Sequence, residues 1–206
     1  MTAATSNVAA RRTARLLVTL TLIYNSIEGV AAVAAGILAG SIALVGFGLD
    51  SAIEVSASAV VLVHLLRRNE DEDSDWEQRA AVFVGLTFLA LAAYVGFESV
   101  SDLIRRSKPD ASYFGIAIAC LSLAFMPLLA RIKHDKAHQI GSRALEAESR
   151  ETLVCSYLSA ALLVGLGANA LLGWWWADPV AALVIVAFLA KEAWEAITRR
   201  ELCCID

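Results

Sequence analysis

Two apolar stretches of the sequence each carry a pair of metal-ligating side chains spaced one helical turn apart. Asp50 and Glu54 are four residues apart in one stretch, and Glu151 and Cys155 have the same spacing in the other. Residues four apart lie on the same face of a helix. Two helices that present such pairs to each other can therefore surround one ion. Carboxylate oxygens with one thiolate suit a divalent ion such as Zn²⁺ in tetrahedral geometry.

Three further polar residues accompany these pairs and are predicted auxiliary site residues. Glu148 precedes Glu151 by three residues and shares its face, which indicates an entrance or proton-handling group. Asn25 and Glu28 share a face of another apolar stretch, and Glu28 could be a fifth ligand, a partner of a ligand or a proton carrier. The alternative is that Glu28 only bonds neighbours such as Tyr24. A buried ionisable group costs about 2.5–3.5 kcal/mol in a membrane, which favours a functional role.

The composition requires a membrane environment for these residues. Of the 206 residues, 58% are apolar and 18% are charged, and the mean hydropathy is +0.63. A soluble chain carries about 25% charged residues, so this chain has too little polar surface to cover itself in water. A net charge of −4 provides no basic field for nucleic acid. We expect an integral membrane protein whose partner is the lipid bilayer.

Catalytic patterns are not evident in the sequence. We find no nucleophile with a base and an orienting group, no His-Glu-x-x-His and no phosphate-binding glycine loop. The sequence therefore predicts that the protein is not an enzyme and has no prosthetic group.

Six segments reach the length of about 20 mostly apolar residues that a membrane-spanning helix needs. The predicted fold is an all-α integral membrane bundle of six transmembrane helices. The predicted spans, with ends accurate to a few residues, are 16–39, 41–66, 80–104, 113–130, 152–173 and 179–194. Some of the helices are expected to continue past the hydrocarbon into the cytosol.

The basic residues predict the orientation of this bundle. With the N-terminus inside, thirteen Lys and Arg residues lie on the inner side and three, Arg105, Arg106 and Lys108, on the outer side. Cytoplasmic loops carry the excess of Lys and Arg, so both termini are expected to be cytoplasmic. The predicted organisation is a cytoplasmic N-terminal segment (1–14), a transport domain (15–196) and a short cytoplasmic tail (197–206). A multi-pass protein of the plasma membrane is expected.

An internal repeat relates the second span to the fifth. Residues 40–44, Gly-Ser-Ile-Ala-Leu, match residues 141–145, Gly-Ser-Arg-Ala-Leu, and at the same offset Asp50 meets Glu151. The two copies run in opposite directions in the predicted topology. Inverted halves are frequent in transporters, where the binding site lies at the interface near the midplane. Chance similarity between apolar helices is the alternative.

Several other features have a functional and a plain structural interpretation. His134 and His138 lie in the predicted basic loop after the fourth span, where they either catch a metal at the cytoplasmic entrance or are simply solvated. The acidic run 70–75 either concentrates cations or is a solvated loop.

Cys203 and Cys204, reduced in a cytoplasmic tail, are too few to make a good metal site alone. Glu98, Asp102 and Glu192 are expected to reach water at span ends. The spacing Gly36-x-x-x-Gly40 predicts a close-packing surface.

The sequence resembles a known family, the cation diffusion facilitators or cation efflux proteins, from about Arg15 to Trp194. The resemblance rests on three groups of residues. The first runs from Asn25 and Gly36 through residues 40–44 to Leu49-Asp50-Ser51-Ala52-Ile53-Glu54. The second is Ser142-Arg143-Ala144-Leu145 leading to Glu151 and Cys155, and the third is Asp178-Pro179-Val180-Ala181-Ala182.

Members of this family are six-span exporters of divalent metals. The resemblance implies proton-coupled export of Zn²⁺ or a similar ion from the cytosol, and a homodimer. The family's site positions, usually His or Asp, are occupied here by Asp50, Glu54, Glu151 and Cys155. The family usually has a cytoplasmic metal-binding domain after the sixth span, and we expect a short branch that lacks it. The alternatives are a non-transporting membrane protein that senses or buffers metal, and a scaffold whose carboxylates pair internally.

Overall fold

Six α-helices make up the computed structural model, which describes residues 2–66 and 74–199 and contains no β-strand in those ranges. The all-α prediction is confirmed. Residues 70–73 of the acidic run and the tail residues 200–206, with Cys203 and Cys204, lie outside the described residues. The helices are α1 (Thr2–Ala39), α2 (Ile42–Leu66), α3 (Ser74–Arg105), α4 (Tyr113–Ile140), α5 (Arg143–Leu172) and α6 (Ala177–Arg199).

The helices present an apolar outer surface that suits lipid. Within the described residues, α1 to α5 are each long and apolar enough to cross a membrane. Large apolar side chains such as Leu38, Ile104 and Leu171 point away from the bundle and are more than three-quarters exposed. At 1.5 Å per residue α6 is about 34 Å long, although it is more highly charged than the others. It packs against α3 and α5. The chain is a multi-pass integral membrane protein.

Several helices extend well beyond the predicted apolar spans. Helix α1 begins at Thr2, α4 continues to Ile140 and α5 begins at Arg143. The prediction that His134 and His138 lie in a loop after the fourth span is therefore wrong, because both residues lie on the last turns of α4. Hydropathy detects only the part of a helix that contacts lipid, and no glycine or proline interrupts the polar extension of α4 before Gly141.

The two copies of the predicted repeat form the same tight corner between helices. Gly40 ends α1 and Gly141 ends α4, both in the left-handed region at φ +65° that glycine adopts without strain. The following Ser41 and Ser142 accept hydrogen bonds through Oγ from backbone amides three residues later, at 3.1 and 3.3 Å. Each helix pair, α1–α2 and α4–α5, is thus a hairpin with a two-residue connection.

Helices α1 and α2 touch backbone to backbone through glycines. A Cβ added at Gly36 would lie 2.7 Å from the Val45 nitrogen, and one at Gly48 would lie 2.7 Å from the Val33 nitrogen. The predicted close-packing surface is correct at Gly36 and wrong at Gly40, where an added Cβ would meet nothing within 4 Å. Gly40 makes the turn, and Gly48 on the facing helix completes the contact.

Asp178 joins the first turn of α6 to the beginning of α2. Its carboxylate accepts hydrogen bonds from the Ser41 hydroxyl at 2.5 Å and from the Ala43 amide at 3.4 Å. The carboxylate thereby satisfies a backbone amide that the helix itself leaves unpaired at its N-terminus. This buried contact fixes the α1–α2 corner against α6.

The glycine contact predicts the effect of adding one methyl group. We expect Gly48→Ala to lower the thermal midpoint of the detergent-purified protein, by a destabilisation of about 1–3 kcal/mol, because the new Cβ meets backbone atoms that cannot rotate away. The matched control is Gly167→Ala on α5, where an added Cβ meets nothing within 4 Å. The control should be neutral or slightly stabilising. Equal midpoints for both variants would contradict the close α1–α2 contact.

Candidate metal centre

A small pocket of about 10 Å³, the space of one water-sized guest, lies between α2, α3, α5 and α6. Asp50 and Glu54 reach it from α2, and Glu151 reaches it from α5. The remaining residues that line it are Phe88, Val154, Leu158, Phe188, Leu189 and Glu192. The pocket therefore combines four carboxylates with an apolar wall.

The acidic residues of α2 face the interior of the bundle and not the lipid. Asp50 is 3% exposed and Glu54 is 8% exposed. Among the described residues that line the pocket, none is basic. Uncompensated carboxylates are costly to bury, so a site of this composition is stabilised by a bound cation or by protons. The pocket is suited to a positively charged guest.

Glu192 lines the pocket, although the sequence predicts it at a span end in contact with water. The structure places it in the pocket wall, partly buried, on the face of α6 that also carries Ile185 and Leu189. The spacings of four and three residues from Ile185 to Leu189 to Glu192 are the available signal, because they continue the buried stripe of α6.

Asn25 and Glu28 on α1 and Cys155 on α5 are buried but do not line the pocket. The Asn25 amide donates a hydrogen bond to Glu54 Oε2 at 2.7 Å. The Tyr24 hydroxyl donates to Glu28 Oε1 at 3.0 Å, as the simpler interpretation of Glu28 expected. Asn25 Oδ1 and Glu28 Oε2 are buried and accept no hydrogen bond within the described part of the chain. Both atoms are of a type that can bind metal.

The ligand atoms of the predicted metal site are farther apart than ligand atoms that bind one ion. Ligand atoms at about 2.0–2.3 Å from a tetrahedral Zn²⁺ lie about 3.3–3.8 Å from one another. Across residues 2–66 and 74–199, the group of His, Cys, Asp or Glu side chains with all ligand atoms within 4.8 Å of one another is His134, His138 and Glu146. Binding at Asp50, Glu54, Glu151 and Cys155 thus requires side chains or helices to move inward.

Glu148 is held in a buried ion pair one turn from Glu151. Its Oε1 accepts hydrogen bonds from Lys133 Nζ at 2.9 Å and from the Ser58 hydroxyl at 2.8 Å. Lys133 is 0% exposed and also donates to the Thr152 hydroxyl at 3.0 Å. This network joins α2, α4 and α5. The sequence predicts Lys133 only as an inner-side charge, because no local pattern identifies its partner on the next helix.

The chain matches a known protein family over most of its length. Residues 18–199 match the family described as the cation efflux transmembrane domain. The chain belongs to the cation efflux family. The resemblance seen in the sequence is thereby confirmed, and the six helices are this family's membrane domain.

Relatives within reach of sequence comparison are distant. The chain is 28% identical over 163 residues to the magnetosome protein MamB of Magnetospira sp. (strain QH-2), which covers 76% of this chain and 55% of MamB. It is 26% identical over 145 residues to transmembrane protein 163 of Xenopus laevis, covering 70% of this chain and 52% of that protein. It is 24% identical over 117 residues to the cation-efflux pump FieF of Shewanella oneidensis, covering 57% and 38%. The chain spans about half the length of the first two relatives.

The buried ion pair predicts a strong asymmetry between variants. Lys133→Met leaves the Glu148 carboxylate buried without its cation, and we expect a loss of about 3–5 kcal/mol, seen as a lower thermal midpoint in detergent. The double variant Lys133→Met/Glu148→Gln removes both charges and should recover most of that loss. A double variant as unstable as Lys133→Met would contradict the pairing.

The exposed pair Arg150–Glu146, with atoms 2.9 Å apart, provides the control for this comparison. Arg150→Gln should change the stability by less than about 1 kcal/mol, because solvent screens the partly exposed charges.

Proposed function

We propose that the chain is a divalent metal cation transporter that exports Zn²⁺ from the cytosol in exchange for protons. The observation that carries the proposal is the membrane-embedded pocket, in which Asp50, Glu54, Glu151 and Glu192 meet and no described lining residue is basic. Membership of the cation efflux family supports a metal ion as the cargo.

The proposed ligands are Asp50 and Glu54 from α2, and Glu151 and Cys155 from α5. Three carboxylates and a thiol are neither a purely hard nor a purely soft donor set, and they suit Zn²⁺ better than Ca²⁺ or Mg²⁺. Asn25 is proposed to position Glu54 through its hydrogen bond. Glu28 is proposed as an additional ligand or proton carrier, because one of its carboxylate oxygens has no partner among the described residues.

Proton coupling is proposed from the chemistry of the carboxylates. A metal and a proton compete for the same oxygen lone pairs, so protonation of the pocket releases the metal. Opening the pocket alternately to each side then couples inward proton flow to outward metal flow. The excess of Lys and Arg supports the proposal that the α4–α5 corner faces the cytosol, with both termini on that side, in the plasma membrane. A homodimer is part of the same proposal.

Transport by purified protein in vesicles tests the proposal. With a zinc-sensitive dye inside proteoliposomes, we expect Zn²⁺ flux that a pH gradient drives and a protonophore abolishes. Asp50→Ala and Glu151→Ala should each reduce the flux by about tenfold or more, because the loss of even an outlying partner of a metal site costs about 10–100-fold in affinity.

The control and the contrary outcomes distinguish the alternatives. Glu98→Gln on α3, a carboxylate about 15 Å along the helix from the pocket residue Phe88, should keep wild-type flux. Wild-type flux in both pocket variants would refute the proposed site. A Zn²⁺-dependent rise in thermal midpoint without flux would indicate a sensor or buffer, and neither effect would indicate a scaffold.

A further inference from the structure

We propose that His134, His138 and Glu146 form a second metal site at the α4–α5 corner, separate from the intramembrane pocket. The site takes a divalent transition ion such as Zn²⁺, Co²⁺ or Ni²⁺ and joins the end of α4 to the beginning of α5. It goes beyond the proposed transport function, because its occupation does not depend on the pocket.

The two imidazoles already have the spacing of ligands that share an ion. They lie one turn apart on α4, and their Nε2 atoms are 3.2 Å from each other. Two nitrogens at about 2.0–2.1 Å from a tetrahedral Zn²⁺ are about 3.3 Å apart. Without an ion, two Nε2 atoms at this distance require one ring to donate and the other to accept. An ion between them satisfies both lone pairs.

Glu146 completes the set from the neighbouring helix. Its ligand atom and those of both histidines all lie within 4.8 Å of one another. Glu146 Oε1 accepts a hydrogen bond from Arg150 at 2.9 Å, so the ion would bind through Oε2 or replace Arg150. Because only Gly141 and Ser142 separate α4 from α5, the carboxylate and the imidazoles are held close by the corner itself.

The donor set and its exposure define the kind of ion that binds. Two histidines and one glutamate are a zinc-type ligand set that leaves a fourth position for water. Both histidines are exposed, and His134 lies about 31 Å along α4 from Tyr113, just beyond a hydrocarbon core of about 30 Å. An ion at this position exchanges directly with the aqueous phase, unlike one held in the pocket.

The corner site lies next to the buried Lys133–Glu148 ion pair, on the surface of the bundle that faces solvent. His134 follows Lys133, and Glu146 precedes Glu148 by two residues. The Lys133–Glu148 contact and the proposed ion thus hold α4 to α5 from the inside and from the outside of the bundle. A bound ion is therefore expected to stabilise this end of the hairpin by mass action.

Cobalt binding to the detergent-purified chain of residues 1–206 tests the site. The parent for the test is D50A/E151A, which removes two pocket ligands. We expect this parent to retain one equivalent of Co²⁺ with the intense visible absorption of a tetrahedral ion. Adding H134Q/H138Q should abolish that absorption and the bound equivalent. Adding D135N instead, an exposed neighbour on the same turn, should leave both unchanged.

Contrary outcomes separate this site from the transport pocket. If H134Q/H138Q binds as much Co²⁺ as its parent, or if the parent binds none, the corner site is refuted, whatever the flux of the wild type. If the wild type shows no Zn²⁺ flux but the corner site still binds one equivalent of Co²⁺, the transport proposal is refuted and the corner site is not. Should D50A/E151A not fold, the comparison is made in the wild-type background, where H134Q/H138Q should lower the bound metal by one equivalent.

Discussion

Carboxylates that share a pocket inside a membrane repel one another and lose the hydration that stabilises their charge. Much of the surrounding structure accommodates this constraint. Asn25 donates a hydrogen bond to Glu54, and Asp50 and Glu54 face inward, away from lipid. The nearby cation Lys133 is bound to Glu148 and does not line the pocket. The charge of the pocket is thus left for protons or a metal ion to balance.

The backbone contacts between helices place these side chains with little freedom. Gly36 and Gly48 allow α1 and α2 to touch, which brings Asn25 to Glu54. A longer side chain at either glycine would separate the helices, and the hydrogen bond would lengthen with them. Asp178 holds the beginning of α2 against α6, the helix that contributes Glu192 to the pocket. Residues without any metal-binding chemistry therefore set the geometry of the acidic cluster.

The features that follow from periodicity and lipid contact were predictable from the sequence. Apolar length gave the helices, and the four-residue spacing put Asp50 and Glu54 on one face. Helix ends are harder to predict, because the polar ends of α4 and α5 carry no hydropathy signal. A loop is therefore predicted where His134 and His138 lie on the last turns of α4. The meeting of side chains from different helices depends on how each helix is rotated in the bundle. Lys133 and Glu192 were missed for that reason, since their partners are remote in sequence.

The two-residue corners have a mechanical consequence. Because only two residues connect α1 to α2, and α4 to α5, the two helices of each hairpin are expected to move together as one rigid unit. Asp50 belongs to the α1–α2 hairpin and Glu151 to the α4–α5 hairpin. The distance between the two carboxylates would therefore change when one hairpin rotates relative to the other. The Ser41–Asp178 contact holds the α1–α2 hairpin against α6 at its corner, so this corner is the expected pivot of such a rotation. A rocking motion of this hairpin would therefore displace the opposite ends of α1 and α2 the most.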